Sequence, residues 1–148
     1  ARSPPLSGAW ERVLRWAKAT RAKVAFGSDL RFAPHGGNMQ NLMLMRFSAV
    51  YSPLEVLTIA TSGNATLLAQ SGDRNPYRRA KLGVITPGAW ADMLLVDGDP
   101  TREMSVLADP ERAFLVIIKN GHVYKNLLSS PGAAEGEPAG PADREAAR

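Results

Sequence analysis

Lys23-Val24-Ala25-Phe26-Gly27-Ser28-Asp29 is a short apolar run that ends on small residues and a carboxylate. In parallel α/β folds the C-terminal ends of the strands are where chemistry is placed. Asp29 is therefore a candidate metal ligand or general base, while a helix cap or loop carboxylate explains the same position without any chemistry. A lone carboxylate does not make a metal site, since most divalent ions take three or four protein ligands. His35 follows in the Gly-rich stretch Pro34-His35-Gly36-Gly37, on the side where a ligand would bind, and is a candidate substrate contact. The competing reading is a solvated loop histidine. His122, the other imidazole, lies just past Asn120-Gly121 and is expected to face solvent. Ser28 has no Gly-x-Ser-x-Gly around it, so it carries no nucleophile signature. Asp92, Asp97 and Asp99 lack the spacing of a calcium loop and read as turn formers. The absence of cysteine excludes disulfides, thiolate zinc sites and cysteine nucleophiles.

The elements that must position these residues alternate between helices and short strands. Trp10, Val13, Leu14 and Ala17 recur at helical spacing, predicting an amphipathic helix over 9–22 with Ser7 as its cap. It leads straight into the apolar run, and a helix followed by a non-alternating strand is the cadence of a parallel sheet. A second helix is predicted over about 38–50, with Met39, Leu42, Met43, Phe47 and Val50 as its buried stripe. Ser52-Pro53-Leu54-Glu55 has Ser at the cap, Pro at the first position and Glu at the third, a capping box. That helix should run to about Thr61, be broken by Ser62-Gly63-Asn64, and be followed by a short helix through 65–69. Residues 72–79 read as loop. From Leu82 the pattern changes to strands, over 82–85 and 91–96, and then to a hairpin. In the hairpin, 114–119 and 122–124 flank an Asn120-Gly121 type I′ turn.

Composition bounds the classes of function. The chain has 148 residues, 45% hydrophobic and 22% charged, with 18 basic against 14 acidic side chains and a net charge of +4. These values exclude a wholly disordered or fibrous chain. The basic residues Arg12, Arg15, Lys18, Arg21 and Lys23 suit a solvated helix face, and no nucleic-acid motif accompanies them. No apolar run approaches the ~20 residues of a membrane span. The first residues lack the apolar core of a secretory signal, and the compartment is left open. Residues 128–148 are rich in Ala, Gly, Pro and Glu, and are predicted to be a disordered tail.

Taken in order, these segments resemble the end of a metal-dependent amidohydrolase. The likeness is carried by Val24 to Asp29, Ser52 to Leu57 with Ala60-Thr61 and Asn64-Ala65, and Leu82 to Gly88. It continues through Ala91-Asp92, Val96 to Pro100 and Val116 to Tyr124. Ser62-Gly63-Asn64 and Arg74-Asn75-Pro76-Tyr77 look most like the imidazolonepropionase-like and Xaa-Pro dipeptidase-like branch. The resemblance covers about residues 9–127. It implies an α/β fold: the C-terminal fragment of a (β/α)8 barrel over 1–80, joined to strands of a small β-sandwich domain over 81–127. It also implies that Asp29 matches the aspartate after the eighth strand, which binds the metal and exchanges a proton with the hydrolytic water.

The implied activity is hydrolysis of a carbon–nitrogen bond in an amide, dipeptide or cyclic amide by metal-activated water. The implied cofactor is a divalent ion, zinc by expectation, in the intact enzyme and not held tightly by this chain alone. The expected partner is a small amide or peptide substrate, with no nucleic acid and no membrane, and with a homo-oligomer open to the intact enzyme. The departures are as informative. No His-x-His occurs, no lysine sits in a mid-barrel strand, and neither His35 nor His122 matches a family metal ligand. The first alternative is therefore a catalytically silent module that needs a complementary chain, and a basic nucleic-acid binder stands behind it.

Overall fold

In the computed structural model, which describes residues 7–28 and 36–128, the chain opens with helix α1, Ser7–Ala19. Its helix begins at the residue expected to cap it and ends earlier than the apolar periodicity implies. Arg21 takes a left-handed conformation, with φ 56°. Ala22 N–H bonds to Ala17 O at 2.9 Å and Arg21 N–H to Lys18 O at 3.2 Å. This is the paired closure by which helices commonly stop. Helix α2, Gly36–Met45, runs on into a 3-10 turn at Arg46–Ala49.

Helix α3, Pro53–Thr58, starts from the expected capping box. Ser52 N–H donates to Glu55 Oε2 at 2.7 Å and Glu55 N–H donates back to Ser52 Oγ at 3.4 Å. Ser62-Gly63-Asn64 does not break the helix. The turn instead widens into a π-helical segment at Ile59–Gly63 and continues as α4, Asn64–Ala69. Thr58, Thr61 and Thr66 each bond back to the carbonyl four residues earlier. Such back-bonding bends helices rather than ending them.

The expected strand over 82–85 is absent. Gly83 has φ 72°, which a strand does not accommodate, and only a single parallel bridge joins Lys81 to Ala89. Residues 24–28 likewise form no strand, because the described residues offer them no neighbouring strand to pair with. The sheet that does form is antiparallel, in the order β1-β2-β3: Met93–Val96, Phe114–Lys119 and His122–Asn126. Leu94 sits opposite Ile117, and Lys119 opposite His122. The hairpin turn is as expected, with φ 51° at Asn120 and 78° at Gly121. A 3-10 turn at Met104–Ala108 and the short helix α5, Pro110–Ala113, bridge β1 to β2 and lie outside the sequence expectation. The described residues therefore form an α/β arrangement with one small antiparallel sheet.

The buried cluster joins the two halves of the chain. Leu14, Leu44, Phe47, Tyr51 and Val56 pack with Met104, Leu107 and Phe114. Phe47 is its aromatic hub, edge-on to Trp10 at 5.5 Å and to Phe26 at 5.7 Å. Part of the expected apolar stripe stays outside this cluster, since Val13 is 57% exposed and Trp10 is 39% exposed. The predicted tail falls almost wholly outside the described residues.

Candidate functional site

Asp29 and His35, the two candidate site residues, both lie outside the described residues. The structure does describe the segment that leads to Asp29 and the contacts that hold it. Phe26 N–H donates to Asn64 Oδ1 at 2.8 Å, and Asn64 Nδ2 donates to Phe26 O at 2.9 Å. One carboxamide thus takes both hydrogen-bonding groups of one peptide residue, as a facing residue does in an antiparallel ladder. The π-helical segment places Asn64 there, since its wider turn rotates the residues of α4 around the helix axis. Gly83 packs against the same segment: a Cβ on it would lie 2.5 Å from the Thr61 carbonyl carbon.

A second brace lies between α1 and α3. Lys18 Nζ reaches Glu55 Oε2 at 2.8 Å and Val50 O at 3.1 Å, and lies 4.9 Å from the centre of the Tyr51 ring. The Lys18 hydrogen bond, helped by the Ser52 N–H, lowers the Glu55 carboxyl to about 2. In the sheet, Asp92 accepts from Lys119 Nζ at 2.7 Å and from Asn120 N–H at 2.6 Å. Both contacts hold its carboxyl below the usual range, with Lys119 the larger cause. Asp92 thereby pins the hairpin turn to the start of β1 and has a structural explanation. Asp99 accepts from the Thr101 N–H at 3.0 Å, as expected of a turn former. His122 is exposed on β3, also as expected.

No family model matches the chain, and no curated protein matches it. Solved structures do. An amidohydrolase crystal structure is 30% identical, over 82% of this chain and 27% of that chain, with a TM-score of 0.67. A prolidase crystallised with N-methylphosphonate-L-proline is 28% identical, over 78% of this chain and 26% of that one, with a TM-score of 0.60. The chain belongs to the amidohydrolase superfamily. The chain spans about a quarter of the length of the structures it matches.

Among the described residues, no three His, Cys, Asp or Glu side chains come together. They do not by themselves fit a metal site of three or four ligands. What the sequence reading missed is the Asn64 clamp. Asn64 was visible as part of the family likeness, but its bonding partner lies 38 residues away. Only the π-helical segment, which sequence periodicity does not register, brings the two together.

Proposed function

We propose that this chain forms part of a hydrolase that cleaves a carbon–nitrogen bond in a small amide, dipeptide or cyclic amide. Asp29 is its contribution to the ligands of a divalent ion, zinc first among them, and carries a proton during hydrolysis. His35 is a substrate-side contact. Residues 1–80 belong to the end of a (β/α)8 barrel and 81–127 to a small β domain. The observation that carries this reading is the 30% identical match to an amidohydrolase over 82% of the chain. The prolidase with its bound N-methylphosphonate-L-proline makes Xaa-Pro dipeptides the first substrates to try.

A second reading, a silent module completed by another polypeptide, is favoured by the apolar surface left open. Trp16 on α1, Leu94 on the edge strand β1 and Val123 on the edge strand β3 are all exposed. Unpaired, apolar edges of this kind invite another chain.

One experiment separates the two. The full chain is assayed for zinc binding and Xaa-Pro hydrolysis, alone and after mixing with a polypeptide that supplies the rest of an amidohydrolase fold. The expected result is no stoichiometric zinc and concentration-dependent association alone, then hydrolysis on mixing. Asp29→Asn should cut that hydrolysis by about a hundredfold or more, the scale on which acid–base groups contribute. Full activity of Asp29→Asn would overturn the assigned role. Restored zinc binding without hydrolysis would favour the silent module. If His35→Ala leaves kcat/KM unchanged, His35 leaves the site.

A further inference from the structure

The loop after α4 and the approach to β1 line an open, solvent-facing cavity of about 580 Å3 that the hydrolase reading leaves unused. This lies within the size range of small-molecule sites. Arg74, Arg78 and Arg79 line it, together with Asp73, Asn75 and Trp90. Its acceptors are already engaged. Asp73 Oδ1 takes Arg78 at 2.6 Å, and Asn75 Oδ1 takes the Tyr77 N–H at 2.9 Å.

Its donors are not. Among the described residues, Arg74 and Arg79 form no ion pair. The indole Nε1 of Trp90 is buried without an acceptor. A buried donor without a partner calls for an explanation, and an unseen ligand or water is the ordinary one. The lining thus gathers three guanidinium groups with only one carboxylate, an excess of positive charge that an anion would offset. Guanidinium is the side chain best shaped for carboxylate and phosphate oxygens.

The cavity wall is held from behind. Tyr77 meets Trp90 edge-on at 5.7 Å, and Lys119 Nζ lies 5.1 Å from the Tyr77 ring centre while bonded to Asp92.

We propose that this cavity is a binding site for a small anion bearing a carboxylate or phosphate group, with Arg74 and Arg79 supplying the charge and Trp90 the floor. The proposal does not rest on the hydrolase reading, and its test reads no hydrolysis.

The full 148-residue chain is titrated separately with inorganic phosphate and with succinate. Binding is followed by calorimetry and by the Trp90 indole resonance in proton–nitrogen correlation spectra. The expected result is one saturable site of millimolar affinity or tighter for at least one of the two anions, with the Trp90 resonance moving as it fills. The tighter of the two identifies the headgroup. The double variant Arg74→Gln/Arg79→Gln should bind about tenfold more weakly or worse, with its remaining spectrum unchanged. Trp90→Phe, read by calorimetry, guards against a resonance shift that merely reports salt. The proposal is overturned if neither anion saturates, or if the double variant binds as tightly as the parent.

Discussion

The carboxamide of Asn64 does for Phe26 what a neighbouring strand would otherwise do, and it does so three residues before Asp29. Removing it strands a partly buried N–H and C=O, each worth roughly 1–3 kcal/mol when left unpaired. Asn64→Ala is expected to lower unfolding stability by about 2 kcal/mol and to speed hydrogen exchange at the Phe26 amide. Unchanged protection at that amide would show that the clamp holds nothing. Glu55 yields a pH-dependent outcome. Its folded pKa of about 2 lies below the ordinary 4.5. Its contribution is therefore complete above pH 4.5 and drains away as pH falls towards 2. With a side chain 44% exposed, the contribution should not exceed about 1 kcal/mol. Glu55→Gln should be less stable than the parent near neutrality and indistinguishable from it at the acid end. A stability gap that persisted in acid would assign the loss to something other than the charge.

Elements whose rules are local were legible in advance. The capping box at Ser52 and the Asn120-Gly121 turn depend on residues within three or four positions, and both formed as read. The stretch at 82–85 was misread because Leu82, Val84 and Ile85 look like a strand, while the conformation of Gly83 answers to a distant helix. Its φ is 72° and its missing side chain admits the Thr61 carbonyl. Gly121 has a similar φ of 78° but open space around it. Comparing the two separates conformation from collision. Gly121→Ala should cost about 1–2 kcal/mol for the left-handed backbone alone. Gly83→Ala should cost about 3 kcal/mol or more, since the clash adds to that strain. Equal losses in urea unfolding would mean that the π-helical segment gives way freely. Helix α5 carried its own signal in Asp109-Pro110, a cap followed by proline at the first position. Four residues are too few for periodicity to register.

At the scale of the molecule, the family was readable from the order of short segments, and the solved relatives bear that out. The site was legible only as Asp29 and His35, and both fall outside the described residues. Barrel closure was not legible, because strands pair with strands and none of the described residues pairs as a strand with residues 24–28. The buried cluster was less foreseeable still. Leu14 and Val56 share it with Met104, Leu107 and Phe114, across the change of pattern near residue 80. This has a consequence for biosynthesis. When residues up to 80 have emerged from the ribosome, three of the eight side chains of that cluster, Met104, Leu107 and Phe114, have not. The early helices must wait, exposed to chaperones and proteases, until translation has passed Phe114.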